Sequence, residues 1–406
     1  MRQLEKLIQQ FCPNGVVYKK LGDIATITRG GNFQKKDYVE QGFPCIHYGQ
    51  IYTKYNLFVT ETISHISNEK AEQQKKAEPG DIIMAVTSEN IEDVCKCIAW
   101  LGDSKVAVSG HAAIIHHSLN PKFLTYFLSS SLFYKQKLSM VQGTKVIEVS
   151  PEKLKKITLP VPPLEVQQEI VRILDQFTQL TAELTAELTL RKQQYHYYRS
   201  KLLAQQTNVQ KVSLRSVVKY SCSGATPAKN NSDYYEGGTI PWLRTQDVRF
   251  NEICSIDSFI TEKAVKETAA KWIPENCVIV AISGATAGRC AINKIKTTTN
   301  QHCLNLEIDT EKALYKYVYY CVCNQHEELL SKKQGARGDL NSSLILGMQI
   351  PLPPLPEQRR IVAILDRFDA LCNDLTSGLP AEIAARQKQY GYYRDKLLTF
   401  KEKVQE

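Results

Sequence analysis

An internal repeat constrains the fold of this 406-residue chain more than any other feature of its sequence. The block LPVPPLEVQQEIVRILDQF at 159–177 recurs as IPLPPLPEQRRIVAILDRF at 350–368. Further along, QYHYYRSKLL at 194–203 recurs as QYGYYRDKLL at 389–398, and the two copies differ at only two of ten positions. The offset between copies is 191 residues for the first block and 195 for the second. A duplication of this kind predicts two similar halves.

Each repeated block predicts a long helix that begins after a pair of prolines. Pro162 and Pro163, like Pro353 and Pro354, favour extended backbone and end the preceding strand. Beyond the prolines, apolar residues recur at the spacing of one helix face. These stripes contain Ile170, Leu174, Phe177, Leu180 and Leu184 in the first copy and Ile361, Leu365, Phe368, Leu371 and Leu375 in the second. A helix of about 40 residues would span about 60 Å, and two such helices most simply bury their stripes against each other.

Alternatively, each helix packs only onto its own domain, because an apolar helix stripe is most often part of a domain core. Gly378 and Pro380 also predict a kink or an interruption in the second helix. The two interpretations lead to different molecules, since only paired helices would set a separation between two domains.

The first helix contains the tetrapeptide TAEL twice in succession, at 181–184 and 185–188. Four residues are just over one helical turn, so adding or removing one unit shifts the helix ends by about 6 Å and rotates them by about 40°. Such a unit is suited to act as a ruler. TAEL is equally well explained as a good helix former on a solvated surface.

The segments between the helices, at about 16–158 and 209–349, predict mixed α+β domains because short β-branched runs alternate with turn residues before a final helical stretch. We therefore predict an α+β protein with two related mixed domains in tandem. Each is followed by a long helix, and the two helices pair as an antiparallel coiled coil. The predicted boundaries are 1–160 and 208–352 for the two domains and 161–207 and 353–406 for the two helices.

Composition is that of a soluble globular protein, with 43% hydrophobic and 23% charged residues. The net charge of +9 is compatible with a polyanion as partner. No apolar run approaches the roughly 18 residues of a membrane-spanning helix, and the amino-terminal stretch lacks the apolar core of a signal peptide. We therefore expect a cytoplasmic protein that does not associate with membranes.

The sequence offers few groups for catalysis or metal binding. The twelve cysteines include no C-x-x-C pair, so we expect them to be buried free thiols. His116 and His117 are adjacent and would point to opposite faces of a strand, which is poor geometry for one metal ion. No phosphate-binding, dinucleotide-binding or nucleophile-elbow motif occurs. The glycine-rich SGATAG at 283–288 is more typical of a plain turn than of a phosphate site. We expect no catalytic residue, no metal and no cofactor in this chain.

With these features in place, the chain resembles a known family. The block P-x-P-P-L-x-x-Q-x-x-I-V-x-I-L-D-x-F at the end of each half resembles the specificity (S) subunit of Type I restriction–modification enzymes. GATPAKNNSDYYEGGTIPWLRTQDV at 224–248 resembles a target recognition domain of those subunits. The first half departs from that pattern, because HYGQ at 47–50 stands where the second half has arginine, threonine, glutamine and aspartate.

The resemblance implies that the α+β chain carries two target-recognition-type domains in tandem and is a non-catalytic subunit that recognises DNA sequence. In the family, each domain binds one half of a bipartite double-stranded DNA target, and the two helices set the gap and dock modification (methyltransferase) subunits. Restriction (endonuclease and translocase) subunits complete the complex. S-adenosylmethionine is expected on the modification subunit, and ATP and magnesium on the restriction subunit. Members differ in the number of tetrapeptide units like TAEL, and ~6 Å per unit corresponds to one to two base pairs.

Candidate DNA contacts follow from side-chain chemistry. Arg, Gln and Asp recognise the edges of G, A and C, which suggests Arg244, Gln246 and Asp247 in the second half. The matching positions in the first half are His47, Tyr48 and Gln50. Phosphate contacts suit basic residues in loops, namely Lys35, Lys36, Lys145, Lys229, Arg289 and Arg337. For each residue, ordinary surface charge is an equally good explanation. Trp242 is better explained as core than as a base-stacking wedge.

Two other functions are consistent with the sequence at this stage. One is a scaffold in which two protein-binding domains are joined by a helical strut, and DNA-binding assays would distinguish it. The other is a self-contained DNA methyltransferase, which the missing catalytic motifs disfavour.

Overall fold

A computed structural model describes residues 2–143, 146–204, 209–332 and 339–403 of the chain. It divides into two compact units, each of which is described separately below. The first unit contains 1–185 together with 382–406, and the second contains 186–381. Within the described residues, no helix is both long and apolar enough to cross a membrane.

The first unit consists of an α+β domain and parts of two long helices. Its helices are α1 (Arg2–Phe11), α2 (Leu21–Ile24), α3 (Tyr48–Thr53), α4 (Asn68–Glu72), α5 (Pro121–Leu128), α6 (Ser131–Leu138), α7 (Pro151–Leu154) and the beginning of α8 (Leu164–Ala204). Its strands are β1 (Tyr18–Lys20), β2 (Ala25–Arg29), β3 (Tyr38–Val39), β4 (Phe43–Ile46), β5 (Phe58–Val59), β6 (Ser64–Ile66), β7 (Lys76–Ala77), β8 (Ile82–Ala85), β9 (Thr87–Ser88), β10 (Cys97–Trp100), β11 (Val106–Val108), β12 (Ala112–His117), β13 (Ile147–Glu148) and β14 (Thr158–Pro160).

The strands of the first unit form two principal sheets, in the orders β2-β12-β8-β10-β5 and β3-β6-β4-β11-β7. Strand β8 is buried on both faces, because successive side chains of a strand point in opposite directions. Ile82 and Met84 pack in a core with helices α5 and α8, whereas Ile83 and Ala85 pack in a core between the sheets. This double burial explains why β8 is a continuous apolar run in the sequence.

The second unit has the same organisation. Its strands are β15 (Lys211–Ser213), β16 (Val218–Ser223), β17 (Ile240–Leu243), β18 (Glu252–Ile253), β19 (Phe259–Ile260), β20 (Trp272–Ile273), β21 (Val278–Ala281), β22 (Cys290–Asn293), β23 (Thr297–Thr299), β24 (Cys303–Ile308) and β25 (Gln349–Pro351). Its helices are the end of α8, then α9 (Glu262–Glu267), α10 (Tyr315–Asn324), α11 (His326–Ser331), α12 (Ser342–Leu346), α13 (Leu355–Asn373) and the beginning of α14 (Leu379–Leu397), which ends in the first unit.

The strand orders of the second unit, β16-β24-β21-β22-β18 and β19-β17-β23-β20, repeat those of the first, except that the edge strand β3 has no counterpart in the second sheet as described. The parallel pairs also recur, since β4 with β11 corresponds to β17 with β23, and β5 with β10 corresponds to β18 with β22. The duplication predicted from the repeated blocks is therefore present in the topology of both domains.

The predicted pairing of the helices is found within each unit. In the first unit, Phe177 near the start of α8 stacks on Tyr393 near the end of α14, with 5.4 Å between ring centroids. In the second unit, Tyr198 near the end of α8 stacks on Phe368 of α13 at 5.7 Å. The start of one helical region thus meets the end of the other, which is the predicted antiparallel order. Each helix also packs onto its own domain, so the two interpretations of the stripes are not exclusive.

The stripes are buried over a shorter length than we predicted. Ile170, Leu174, Ile361 and Leu365 are fully buried, and Phe177, Phe368 and Leu184 are half-buried. Leu180, Leu371 and Leu375 are exposed, at 37%, 38% and 81%. Leu180 lies beyond Phe177, the last residue of the α8 stripe that packs on the first core. Leu371 is exposed although its neighbour Cys372 is buried in the second core, and Leu375 lies outside the helices altogether.

The predicted interruption of the second helical region is confirmed. Helix α13 ends at Asn373 and α14 begins at Leu379, with Gly378 and Pro380 at the junction. The carboxylate of Asp374 accepts hydrogen bonds from Thr376 and Ser377, and this turn competes with continuation of the helix. A Cβ atom at Gly378 would lie 2.5 Å from the carbonyl oxygen of Ala370, so this close approach requires glycine.

The cysteine and tryptophan predictions are largely confirmed. All twelve cysteines are free thiols, and eleven are buried. Cys254 is exposed, which corrects the prediction for that residue. Trp242 is 7% exposed and belongs to a core cluster, as expected.

Candidate nucleic-acid interface

In each domain, two loops that follow parallel strands meet at one edge of the second sheet. In the first unit, the loop after β11 joins the loop after β4, because the amide of Ser109 donates to the carbonyl of Ile46 at 3.1 Å. In the second unit, Asn300 donates in the same way to Leu243 at 2.9 Å. Strand ends of a parallel pair carry their following loops to the same edge, so the topology itself brings these residues together.

In each domain a third loop, which follows β2 in the first unit and β16 in the second, approaches this pair of loops closely. A Cβ atom at Gly30 would lie 2.2 Å from the carbonyl oxygen of Ser109, and one at Gly224 would lie 1.8 Å from that of Thr299. Only glycine allows so close an approach of two backbones. The glycines explain why both halves keep this residue although the surrounding loop sequences differ.

The predicted base-contacting segments begin as short helical turns with matching caps. In the first unit, the amide of His47 donates to Oε1 of Gln50 at 2.8 Å. In the second unit, the amide of Arg244 donates to Oδ2 of Asp247 at 2.9 Å. The side chain three residues after the cap satisfies the cap amide in both domains, which is one half of a capping box.

This geometry corrects the role predicted for Gln50. Gln50 is 7% exposed, and its Nε2 atom also donates to Ser64 at 2.6 Å, so both ends of its amide are occupied within the domain. We therefore assign Gln50 a positioning role in place of a base contact. Asp247 shares the capping role, and only its second carboxylate oxygen remains available to a ligand.

His47 and Tyr48 form an aromatic group with a third ring that the sequence did not single out for DNA contact. Their ring centroids lie 4.5 Å apart, and the ring of Tyr48 lies 5.0 Å from that of His111. The amide of Tyr48 donates to the hydroxyl of Ser109, and Oγ1 of Thr87 lies 3.2 Å from Nδ1 of His111. The first domain thus presents an imidazole, a phenol and a second imidazole side by side.

The protonation state of His47 follows from its surroundings. Burial, followed by the nearby charges of Lys35 and His111, lowers the pKa of His47 below its ordinary value. The ring is therefore neutral at pH 7. Its Nδ1 atom accepts a hydrogen bond from Gly49 at 3.2 Å, so the proton of the neutral ring is on Nε2. His47 can consequently donate one hydrogen bond to an acceptor on a base edge.

Arg244 presents a guanidinium group that stacks on Trp242 and makes no hydrogen bond to the described residues of the second domain. Its Nε atom is buried and has no hydrogen-bond partner among the described residues. Its guanidinium carbon lies 5.9 Å from the ring centroid of Trp242. A stacked guanidinium without an internal partner is suited to bidentate binding of guanine or phosphate. Gln246 is exposed beside it, and the carbonyl of Gln246 accepts from Arg249 at 2.7 Å.

The loop after β23 adds a polar group to the second domain. The hydroxyl of Thr226 donates to Oε1 of Gln301, and Nε2 of Gln301 lies 3.1 Å from Nε2 of His302. His302 occupies the position that His111 occupies in the first domain. The sequence analysis did not single out these histidines as contacts, although the recurrence of histidine at matching loop positions of the two halves was an available signal.

The remaining candidates for phosphate contact are scattered. Lys35 and Lys36 are exposed on a turn beside His47, and Lys229 is exposed at an open cavity of about 540 Å³. Arg289 is half-buried in the hairpin between β21 and β22. No hydrogen bond or ion pair joins Lys229 or Arg289 to Arg244 within the described ranges. Lys145 and Arg337 lie outside the described residues. All of these contacts stay predictions.

The described part of the interface contains no cluster typical of metal binding. Within the part of the chain that is described, no three His, Cys, Asp or Glu side chains are grouped as ligands. His116 is hydrogen-bonded to Asp81 at 2.7 Å, whereas both ring nitrogens of His117 are buried without a partner in the described residues. The two rings are directed differently, as predicted for neighbours in a strand.

A family model described as "Type I restriction modification DNA specificity domain" matches this chain twice, at residues 13–190 and 206–385. Both matches include a recognition domain and most of the helix that follows it. Together they extend over most of the chain.

Two curated proteins are similar in sequence. The Type I restriction enzyme EcoR124I/EcoR124II specificity subunit of Escherichia coli is 41% identical over 258 residues, which is 61% of this chain and 63% of that protein. A putative type I restriction enzyme specificity subunit of Haemophilus influenzae is 32% identical over 318 residues, or 73% of this chain and 77% of that protein. The chain thus spans less than two thirds of the E. coli relative in this match.

Solved structures share the fold. A chain from a structure of a type I restriction–modification system superposes with a TM-score of 0.65 at 19% identity, covering 95% of this chain and 98% of that one. The S subunit from M. genitalium superposes with a TM-score of 0.53 at 12% identity, covering 94% of this chain and 96% of that one. At these identities the likeness concerns the fold alone.

Proposed function

Because the chain belongs to the Type I restriction–modification specificity family, we propose that it is the non-catalytic subunit that gives such a complex its DNA sequence specificity. Each domain binds one half of a bipartite double-stranded target. The paired helices set the gap between the halves and dock modification subunits. One observation carries the proposal. The loops after β4 and β11 in the first domain correspond to those after β17 and β23 in the second, yet the two sets of loops present different polar side chains.

The side chains that these loops present differ between the two domains, as we would expect if each domain binds a different half-site. The first domain presents His47, Tyr48 and His111, which combine stacking surfaces with a hydrogen-bond donor. The second presents Arg244 and Gln246, which are suited to guanine and adenine edges. The backbone of both loops is held by the same strand pairing and the same capping geometry, so side chains change while the scaffold is retained.

Partner subunits would supply the chemistry. S-adenosylmethionine would bind the modification subunit, and ATP and magnesium would bind the restriction subunit, in keeping with the lack of catalytic motifs in this sequence. The scaffold and self-contained methyltransferase alternatives receive no support from the E. coli and H. influenzae relatives, which are both named as specificity subunits.

The proposal is tested by mapping methylated adenines after purified chain, modification subunit and S-adenosylmethionine are incubated with unmethylated genomic DNA. We expect methylation at a single split motif that has two defined halves and a fixed gap. A chimera in which residues 208–352 come from another family member should change one half of the motif only. Methylation that is unchanged when this chain is omitted, or a chimera that alters both halves, would refute the proposal.

A further inference from the structure

We propose that Asp175 and Asp366 are positioning residues that lock each recognition domain onto its long helix, so that the DNA-contacting loops face a fixed direction. This inference rests on the proposed function, because a fixed direction matters only if two half-sites are bound at a defined separation. It assigns a role to polar residues of the repeated block, which was otherwise explained by its apolar stripe.

In the first unit, Asp175 of α8 is bound by two side chains of the domain helix α5. Nζ of Lys122 donates to Oδ2 of Asp175 at 2.6 Å, and the hydroxyl of Tyr126 donates to Oδ1 at 2.6 Å. Tyr126 is completely buried, and burial together with its hydrogen bond to Asp175 raises the pKa of its hydroxyl. Tyr126 therefore remains a donor at all physiological pH values.

The second unit contains the same arrangement around Asp366 of α13. Nζ of Lys316 donates to Oδ2 of Asp366 at 3.0 Å, and the hydroxyl of Tyr320 donates to Oδ1 at 2.6 Å. Lys316 and Tyr320 lie on α10, which corresponds to α5 of the first unit. Lys122 and Tyr126 have the same spacing along their helix as Lys316 and Tyr320, so each aspartate binds one turn of the domain helix.

A buried glutamine makes a second attachment two helical turns earlier. In the first unit, Oε1 of Gln167 accepts from the amide of Asn120, and its Nε2 donates to Pro162. In the second unit, Oε1 of Gln358 accepts from the amide of Leu314, and its Nε2 donates to Pro353. Asn120 and Leu314 cap the two domain helices, and the glutamines are 3% and 0% exposed.

The two attachments together determine the orientation of each domain relative to its long helix, which a single attachment would not do. The glutamine and the aspartate are eight residues apart, which is about 12 Å along a helix. A single contact would leave the domain free to rock about it, whereas two contacts at this separation fix both the position and the rotation of α5 or α10 against the long helix. Apolar packing alone is less directional, because the hydrophobic effect that drives it is non-directional.

The internal duplication provides the comparison. The glutamine and aspartate of the long helix and the lysine and tyrosine of the domain helix together form a joint between helix and domain. All four of these residues are identical in the two copies. Residues at most of the candidate DNA-contacting positions differ, as His47 and Arg244 illustrate, although His111 and His302 are the same residue. The chain has thus kept the joint while its recognition loops diverged, as expected if both domains must be held in the same way.

The test compares the wild-type full chain with Asp366→Asn in complex with its modification subunit. Competition binding would use duplexes that carry the mapped bipartite target with its own gap, or with a gap one base pair shorter or longer. We expect wild type to prefer its own gap by at least about tenfold, and Asp366→Asn to lose most of that preference. Discrimination against a single base change in either half should stay as in wild type.

Controls separate positioning from general stability. Glu307→Gln removes an ion pair with Lys219 of similar length in the same unit, at 2.8 Å, and should leave the gap preference unchanged. Tyr320→Phe keeps the buried ring and removes only the hydroxyl, so it tests the joint even if Asp366→Asn does not fold. A folded Asp366→Asn or Tyr320→Phe that still discriminates gaps as sharply as wild type would overturn the inference. Failure of the wild type to bind any split target would instead refute the proposed function.

Discussion

Whether a polar side chain is available to DNA depends at the residue scale on what it already binds. Arg244 and Asp247 lie three residues apart in one loop, yet Asp247 caps the backbone while the guanidinium of Arg244 has no internal partner among the described residues. The sequence identified both as polar loop residues and could not distinguish them. The capping bond forms only once the loop adopts its turn, so the distinction requires the structure.

The first prediction concerns Arg244. Arg244→Ala should relax the preference at one base pair of one half-site, with a loss of about 1–3 kcal/mol of discrimination, because a bidentate arginine contact would be removed. The measurement is binding to a panel of targets with each base substituted in turn. Lys219→Ala, which removes an exposed lysine of strand β16, should leave the panel unchanged. A uniform loss across all sequences would indicate that Arg244 contacts phosphate instead.

The second prediction concerns His117 and pH. Burial lowers the pKa of His117 to about 4 in the folded protein, while the unfolded chain binds the proton near its ordinary value of 6.5. Between these values the unfolded state holds more protons, so the free energy of unfolding falls as pH drops from about 6.5 to about 4, by at most about 3 kcal/mol. His117→Leu should flatten this part of the curve. Urea unfolding at several pH values would measure it, and an equal slope in both proteins would contradict the assignment.

At the scale of elements, repetition was a better guide than periodicity. The repeated blocks predicted both long helices, and Gly378 with Pro380 predicted the interruption. Short strands such as β3 and β7 have two residues each and no periodicity of their own. Their existence depends on partners distant in the sequence, which a local pattern cannot indicate. The joint made by Asp175 and Asp366 was hidden for the same reason, because its partners lie about 50 residues away.

Two glycines of the second helical region give a matched pair of substitutions. Gly378→Ala should lower the free energy of unfolding, because its Cβ would lie within 3 Å of three carbonyl oxygens. Gly391→Ala should raise it by about 0.5–1 kcal/mol, because Gly391 lies within α14 with open space around its Cβ position. Thermal unfolding of both variants measures the difference. If Gly378→Ala stabilised the chain, this would contradict the close approach of the three carbonyl oxygens to the Cβ position of Gly378.

At the scale of the whole molecule, a compact unit does not correspond to one continuous stretch of the sequence, because the first unit combines residues from both ends of the chain. Residues 382–403 belong to the first unit, where the amide of Lys403 donates to the carbonyl of Val16 at 2.9 Å. Domain boundaries drawn along the sequence, such as 160/161 and 352/353, therefore follow the succession of elements rather than the compact units. Apolar periodicity marks which residues of a helix are buried, but it does not identify which distant segment covers them. The pairing of α8 with α13 and α14 was expected because the two helical regions carry similar apolar stripes, which are most simply buried against each other.

The TAEL repeat provides the last prediction, because the division between the two units falls between Thr185 and Ala186, within the second TAEL. Helix α8 is continuous across this point, so removing 185–188 should shorten it by about 6 Å. If the helix sets the gap, the deletion should shorten the gap of the methylated motif by one or two base pairs and leave both halves unchanged. Replacing 185–188 by four alanines keeps the length and should leave the gap as in wild type. A gap that followed the sequence of these residues and not their number would mean that α8 contacts DNA directly and does not act as a spacer.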